Sequence, residues 1–186
     1  MGRVIPNVMR MKTADEALAI AASDGDGEAF SVLLERHYDR IFRLAFRLTG
    51  VSADAEDLTQ DICAALPVKL KHFRGEARFT TWLYRVVVNA ASDRRRKAAS
   101  HGRAATGWGE VEVARRAEAA EAAEARDWLQ VAMGRLSDDL RDTVALVMDE
   151  LTHAQVAEVL GVSEGTVSWR MSEVKKALRA MKESEA

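Results

Sequence analysis

The sequence is poor in the residues that cross-link or interrupt a fold. Its 186 residues include one cysteine, two prolines and 11 glycines. The lone Cys63 excludes a disulfide framework and a cysteine-based zinc site. A β-sandwich or barrel would need more turn residues, and no alternation of strand and helix patterns indicates a doubly wound α/β fold. Abundant Ala, Leu, Glu and Arg predict an all-α protein instead.

The chain also lacks long apolar runs. None approaches the roughly 20 residues of a membrane span, and residues 1–6 (MGRVIP) contain no apolar signal-peptide core. We therefore expect a cytoplasmic protein without membrane insertion.

Catalytic and cofactor motifs are missing as well. The four histidines are scattered, and there is no HExxH, P-loop, dinucleotide-binding glycine turn or nucleophile elbow. One Glu-x-x-His pair, Glu150 to His153, falls short of the two pairs and two further glutamates of a helical di-metal site. We predict no catalytic residue, no metal and no cofactor, so a small helical enzyme is the least favoured function.

Charge is unevenly distributed along the chain. The net charge is −2, but residues 69–103 carry +8 between an acidic N-terminal part and an acidic C-terminal part. A basic block of this size inside an acidic chain is a local electrostatic feature that fits a polyanionic partner.

Hydrophobic periodicity predicts an N-terminal helical domain. An apolar stripe that includes His37 indicates the first helix and places this histidine in the core, and Gly50 ends the helix. Ser52 is predicted to cap a second helix, which Pro67 ends or kinks. The predicted helices cover residues 30–48, 52–66 and 79–97.

A linker and a second helical unit follow. Residues 98–111 are small and aperiodic, which is typical of a flexible linker, and residues 112–126 predict a solvated helix. A helix capped by Ser137 and reaching Leu151 then opens the second unit. The predicted domains are 1–97 and 127–186, with the linker at 98–126.

The C-terminal unit has the pattern of a helix-turn-helix. Thr152 and Gln155 form a capping box, Gly161 turns the chain, and Ser163 caps the last helix. The apolar stripe of that helix is Val167, Met171, Val174 and Leu178. Its opposite face holds Ser168, Trp169, Arg170, Ser172, Lys175 and Lys176, and this face is predicted to bind DNA. A bare helical hairpin is the alternative.

The basic block interleaves cations with aromatic side chains. Cations follow phosphates and aromatic rings stack on bases, so this pattern indicates single-stranded DNA binding. The alternative places Phe79 and Trp82 in the core and leaves the cations as a solvated face. For Phe79 alone we expect the core, and for the block as a whole we expect nucleic-acid binding. The aromatic residues are Phe73, Phe79, Trp82 and Tyr84, and the cations are Lys69, Lys71, Arg74, Arg78, Arg85 and Arg94 to Lys97.

An acidic stretch precedes the basic block. Asp54, Glu56 and Asp57 suit the first turn of a helix, where carboxylates interact favourably with the helix dipole. Asp61 lies four residues after Asp57, a repulsive spacing on a helix that such capping does not explain. The acidic stripe therefore indicates a protein partner.

Two segments together resemble a known family. Residues 54–61 (DAEDLTQD), 73–85 (FRGEARFTTWLYR) and Asn89 resemble conserved region 2 of the extracytoplasmic-function (ECF) sigma factors of bacterial RNA polymerase. Residues 136–178, with Gly165-Thr166-Val167, resemble their region 4. The resemblance implies a two-domain, non-catalytic factor that binds core polymerase, recognises the −35 and −10 promoter elements and opens the DNA strands.

The resemblance also implies roles for individual residues. Core polymerase would bind through its β′ clamp helices and β subunit, the −10 element at the basic block, and the −35 element at the last helix. An anti-sigma factor is a further implied partner, and a stress response the implied setting. The implied core-binding residues are Asp54, Asp57, Gln60 and Asp61. The implied −10 residues are Lys71, Phe73, Arg74, Arg78, Trp82, Arg85, Asn89 and Arg94. The implied −35 residues are Thr166, Ser168, Trp169, Arg170, Ser172, Lys175 and Lys176.

The sequence departs from the family in the last helix. Many relatives read Lys/Arg-Ser-Arg where this chain has Ser168-Trp169-Arg170, so the promoter sequence cannot be transferred. A stand-alone helix-turn-helix regulator that binds duplex DNA as a dimer is the alternative function. Such a regulator needs neither the acidic stripe nor the basic aromatic block.

Overall fold

The computed structural model describes residues 13–100 and 128–184, which form helices joined by turns and loops without a strand. This confirms the predicted all-α fold. Within these two stretches no helix is both long and apolar enough to span a membrane. The helices are α1 (Asp15–Ser23), α2 (Gly27–Thr49), α3 (Ser52–Leu70), α4 (Phe79–Ser100), α5 (128–134), α6 (Asp138–Val147), α7 (His153–Leu160) and α8 (Glu164–Ser184).

Helix α2 is the centre of the N-terminal domain and contacts α1, α3 and α4. Asp26 caps it, accepting hydrogen bonds from the backbone N–H groups of Glu28 and Ala29. Gly50 ends it with a φ of +77°, a conformation that glycine adopts without strain. The predicted apolar stripe is buried and includes Leu33, His37, Ile41, Leu44 and Leu48.

His37 lies in the core as predicted. Its Nε2 is 2.8 Å from Asp15 Oδ2, and its Nδ1 is 3.1 Å from Arg40 Nη1. Burial lowers the pKa of His37, although Asp15 opposes this shift. The neutral ring therefore donates to Asp15 and accepts from Arg40, which ties α1 to α2.

The predicted limits of the second helix were wrong at both ends. Helix α3 continues past Pro67 to Leu70, whose side chain is buried. Pro67 has no N–H, so one backbone hydrogen bond of the last turn is not made. This loss costs less free energy than exposing the Leu70 side chain to water would. Val51, not Ser52, is the N-cap, and the Ser52 hydroxyl donates instead to Glu56 at 3.2 Å.

Two further differences concern helix α1 and the linker. Helix α1 was not predicted, because its small residues give a weak stripe, but Leu18 and Ala19 are fully buried. Helix α4 runs to Ser100, three residues past its predicted end at Lys97. The rest of the predicted linker, with the solvated helix at 112–126, lies outside the described residues.

The C-terminal domain comprises α5 to α8. The Thr152–Gln155 capping box forms as predicted, and Gly161 ends α7 with a φ of +67°. Ser163 Oγ accepts from the Thr166 backbone N–H at 3.1 Å, the predicted cap of α8. The helix predicted to reach Leu151 was wrong at its end, because α6 stops at Val147.

A turn containing Asp149 and Glu150 replaces the predicted last part of α6. Glu150 has a φ of +65°, the one positive φ of a non-glycine residue in the described stretches. The backbone N–H groups of Glu150 and Leu151 donate to the carbonyls of Val147 and Leu146, so this left-handed residue closes the C-terminal end of α6.

The two domains are in contact. Helix α2 contacts α6, and α4 contacts α7. The Asp149 side chain is 7% exposed, and its carboxylate accepts from Arg47 Nη1 at 2.7 Å and from the Tyr84 hydroxyl. Burial opposes the shift, but these two hydrogen bonds lower the pKa of Asp149. The carboxylate is therefore ionised at neutral pH.

Pro67→Ala tests how much the proline in α3 lowers the free energy of unfolding. The alanine N–H can bond to the carbonyl of Cys63, so the free energy of unfolding should rise by about 1–3 kcal/mol. Thermal and urea unfolding measure the change. Lys69→Ala, an exposed substitution in the same turn, is the control and should stay within about 0.5 kcal/mol of wild type. Equal or lower stability of Pro67→Ala would contradict this account.

Candidate nucleic-acid interface

Helix α8 has one buried face and one free face. Val167 and Val174 are 0% and 1% exposed, whereas Trp169 is 61% exposed. The prediction that Trp169 points away from the domain core is confirmed. The other exposed residues of the predicted face are Ser168, Ser172, Lys175 and Lys176.

Three residues of the predicted reading face have intramolecular partners. Ser168 Oγ lies 3.0 Å from His153 Nδ1 at the start of α7, and the other two are Arg170 and Thr166. Arg170 Nη2 lies 2.7 Å from Asp139 Oδ2, and the arginine side chain is 13% exposed. Arg170 therefore holds α8 against α6. Thr166 is half-buried, with its hydroxyl 2.9 Å from Ser163 Oγ. Arg170 and Thr166 both position the helix in this structure.

Arg179 extends the cationic face and was missed in the sequence. It is exposed one turn beyond Lys175 and Lys176 and lines the same shallow groove along α8. Its spacing of three and four residues from these lysines is the signal that could have identified it. The groove is lined by these three cations and one carboxylate, Glu183, a net positive surface that suits a phosphate backbone.

The aromatic residues of the basic block form a cluster at the start of α4. The Phe73 ring packs edge-on against Phe79 and Trp82, with centroid distances of 5.8 and 5.5 Å. Phe73 and Phe79 are 8% and 2% exposed. The placement of Phe79 in the core is confirmed, but Phe73 is also buried and supports its neighbours rather than offering a stacking surface.

Trp82 lies at the edge of this cluster. It is half-buried, and its ring centroid is 5.7 Å from that of Phe79. One part of the indole packs on the core while the rest is open to solvent. Lys71, Arg74 and Arg78 are exposed in the loop that joins α3 to α4 and precedes the tryptophan in the chain.

The remaining predicted −10 residues lie on α4. Asn89 is exposed. Arg85 donates from Nε and Nη2 to the backbone carbonyl of Glu158 in α7, at 3.1 and 2.6 Å. The structure therefore places Arg85 beside the C-terminal domain and leaves Asn89 free to contact other molecules.

Arg94 joins the basic block to the acidic stripe. Its guanidinium lies 3.1 Å from Asp54 Oδ1, 3.5 Å from Asp57 Oδ2 and 4.0 Å from Asp61 Oδ2. The cation offsets the repulsion between Asp57 and Asp61 that the sequence indicates. Asp54 and Arg94 are 40 residues apart in the sequence and lie on different helices. Residue spacing within one helix therefore could not predict this contact.

The acidic stripe is a surface feature of α3. The side chains of Asp54, Asp57 and Asp61 are 42%, 67% and 79% exposed, and Gln60 beside them is exposed. Exposure increases along the helix away from Arg94. In residues 13–100 and 128–184, no three His, Cys, Asp or Glu side chains are grouped so that they could hold a metal ion.

The fold and the site define a class of protein: a two-domain helical protein with a C-terminal helix-turn-helix and a separate basic, aromatic surface. Residues 33–101 match Sigma-70 region 2, and residues 126–178 match Sigma-70 region 4. The two matches lie in the two helical domains.

Individual sigma factors match most of the chain. The ECF RNA polymerase sigma factor SigM of Mycobacterium tuberculosis is 36% identical, over 91% of this chain and 85% of that protein. The sigma-E factor of Escherichia coli K12 is 27% identical, over 91% and 95%. The structure of CnrH in complex with the cytosolic domain of CnrY superposes with a TM-score of 0.68 at 25% identity, covering 94% of this chain and all of that one.

The chain therefore belongs to the ECF sigma factors of RNA polymerase. This is a family of transcription initiation factors rather than of enzymes.

Truncation of Trp169 and of Phe79 should change the stability of the protein by very different amounts. Trp169→Ala removes an exposed ring and should change the free energy of unfolding by no more than about 0.5 kcal/mol. Phe79→Ala removes a fully buried ring and should cost about 3–5 kcal/mol. Urea unfolding followed by circular dichroism measures both. A large loss of unfolding free energy with Trp169→Ala would show that this side chain packs in the core.

Proposed function

We propose that this sigma factor divides its task among three surfaces. The acidic stripe on α3 binds core polymerase, the Trp82 edge and the cations of the loop before α4 bind the −10 element, and the free face of α8 reads the −35 element. One observation supports the proposal most strongly. In the helix-turn-helix, the exposed tryptophan and cations of α8 lie on the face opposite its buried valines.

The acidic stripe is proposed as the contact for the β′ clamp helices of core polymerase, with the β subunit as a further contact. Asp57, Gln60 and Asp61 are exposed and share a stretch of one helix. Asp54 is closest to Arg94 and holds that arginine at the start of the stripe. A partner that presents cations gains most at the far end, where Asp61 is the most exposed of the carboxylates.

The −10 surface is proposed to bind single-stranded DNA of the opened promoter. Trp82 offers a partly exposed ring on a rigid aromatic base, which suits the capture of an unstacked base. Lys71, Arg74 and Arg78 supply cations for the phosphates on the loop, and Asn89 supplies an amide on α4.

An anti-sigma factor is proposed to hold the chain inactive until a stress signal releases it. CnrH was solved with the cytosolic domain of CnrY, and the sigma factor RpoE of Bartonella quintana with the anti-sigma factor NepR. The exposed polar surfaces described above would be accessible to such a protein.

Run-off transcription tests the function as a whole. Core RNA polymerase is incubated with the chain and a promoter library, and transcripts are sequenced. We expect transcripts that depend on the chain and share −35 and −10 sequences. Binding to duplex DNA without any transcript dependent on the chain would favour the alternative, a dimeric helix-turn-helix regulator.

Asp61→Arg tests the polymerase contact. The residue is 79% exposed, so the fold should persist while core-polymerase affinity falls at least about tenfold, since like charges meet across the interface. Asp24→Arg is the matched control, because it makes the same charge change at an exposed position of the same domain. Equal loss in both variants, or in neither, would contradict the assignment of the stripe.

Lys175→Ala and Trp169→Ala separate phosphate contacts from base reading. Lys175→Ala should weaken binding on every promoter alike and reduce the salt dependence by about one ion. Trp169→Ala should change which −35 sequences are preferred, through a lost contact with a thymine methyl or a base edge. Selection from randomised −35 sequences and salt titrations measure the two effects. Identical preferences with Trp169→Ala would show that this side chain does not read the groove.

A further inference from the structure

Helix α1 has no part in the three surfaces proposed above. It precedes residues 33–101, which match Sigma-70 region 2, and it packs against α2, α3 and α4. Leu18 and Ala19 are its buried residues. Its first turn carries two consecutive carboxylates, Asp15 and Glu16, and their contacts lead to the aromatic residues at the start of α4.

Asp15 fixes the start of α1 on α2. Its Oδ1 accepts from Arg36 Nη1 at 2.6 Å, and its Oδ2 lies 2.8 Å from His37 Nε2. Arg36 also donates to the Thr13 carbonyl at 2.8 Å. Two neighbouring residues of α2 therefore hold the first turn of α1, and this determines where the next side chain, Glu16, can reach.

The Glu16 carboxylate caps α4 from outside that helix. The first backbone hydrogen bond of α4 runs from the Trp82 N–H to the Arg78 carbonyl at 3.1 Å, so Arg78 occupies the N-cap position. A guanidinium has no acceptor and cannot bond to the N–H groups of the first turn. Glu16 Oε1 accepts from the Phe79 N–H instead, at 3.0 Å. A carboxylate in this place also interacts favourably with the helix dipole.

Phe79 is held at its ring as well as at its backbone. The His37 ring, which Asp15 holds in place, has its centroid 5.2 Å from that of Phe79. Phe79 in turn packs against Trp82 with a centroid distance of 5.7 Å. The contacts of both carboxylates of α1 therefore converge on one buried residue, which supports the ring that we propose for base capture.

We propose that Glu16 is a positioning residue for the −10 surface. By capping α4 from α1, it fixes the first turn of α4 and with it the exposed edge of Trp82, on which an unstacked base would pack. The cap stands on contacts within the chain, whereas its effect on DNA rests on the role proposed above for Trp82. A surface that is already ordered costs less to bind, so a loosened first turn should weaken the capture of single strands.

Nuclear magnetic resonance of the full chain tests the cap itself. The Phe79 amide proton should be protected from exchange with water in wild type, and its resonance should shift and its exchange accelerate in Glu16→Ala, because the acceptor is gone. Glu16→Gln keeps an acceptor oxygen and should retain most of the protection. An unchanged Phe79 amide in Glu16→Ala would overturn the proposal.

Binding of fluorescein-labelled single-stranded DNA of random sequence, measured by anisotropy, tests the effect on the −10 surface. Glu16→Ala should weaken this affinity about fivefold, an effect of the size typical for a lost helix cap, and Glu16→Gln should recover most of it. Affinity for a random-sequence duplex should not change, because α8 is not altered. In a Trp82→Ala background, Glu16→Ala should have little further effect, since both changes act on the same ring.

Val32→Ala is the control for stability. Val32 is 2% exposed on α2 and is not one of the residues that connect Asp15 to Trp82. Its truncation should lower the thermal midpoint at least as much as Glu16→Ala does, but it should leave single-strand affinity within about twofold of wild type. Equal weakening by the two variants would overturn the proposal, because Glu16 would then act through stability alone.

The remaining outcomes separate the positioning role from the proposed function. If Trp82→Ala weakens single-strand binding but Glu16→Ala does not, the −10 surface stands and the positioning role of Glu16 is wrong. If Trp82→Ala leaves single-strand affinity unchanged, the −10 role proposed for this ring is wrong, and the effect of Glu16 on DNA is overturned with it. The Phe79 amide still decides in that case whether the cap forms.

Discussion

Helix α4 contacts the N-terminal core, the acidic face of α3 and the C-terminal domain. The arrangement of the described helices depends on these contacts. Leu83 and Val87 on one side are buried in the N-terminal core. Arg94 faces the carboxylates of α3, and Tyr84 and Arg95 face the C-terminal domain. Because the side chains of successive helical residues point in different directions, one helix can contact a core, an acidic surface and a second domain.

Charged contacts connect α4 both to α3 and to the C-terminal domain. The net charge of +8 in residues 69–103 looked like a single polyanion-binding block in the sequence. In the structure several of its cations already have carboxylate or carbonyl partners. Lys71, Arg74 and Arg78, in the loop before α4, are among its exposed cations. The cations therefore divide into those that hold the fold and those open to another molecule.

Local signals in the sequence predicted most of the fold. The stripe through Leu33, Ile41 and Leu48, the glycine at Gly50 and the Thr152–Gln155 capping box depend on residues within a few turns of one another, so spacing alone specifies them. The errors at Pro67 and beyond Val147 arose where burial or a tertiary contact overrode a local signal. Leu70 extends α3, and Asp149, in the turn that ends α6, bonds to Arg47 and Tyr84 of the N-terminal domain.

Local spacing predicted part of the candidate site as well. The free face of α8 follows from helical periodicity, and the exposure of Trp169 agrees with it. The partners of Arg85, Arg94 and Arg170 lie 31 to 73 residues away, so no pattern in the sequence distinguished these arginines from solvent-exposed ones. Phe73 was misplaced for a related reason, since composition does not tell an aromatic ring in a cluster from one at its surface.

The position of Arg94 has a consequence for selectivity among partners. A carboxylate surface with no counterion would attract any cationic protein or peptide by long-range forces. Here one guanidinium already lies within 4.0 Å of three carboxylates, so an incoming cation gains only the difference between its own contact and the one it displaces. Weak, poorly shaped competitors gain almost nothing, whereas a partner that matches the full length of the stripe still benefits at its exposed end. In the proposed polymerase contact, the intramolecular pair would therefore favour a partner that fits the stripe in shape as well as in charge.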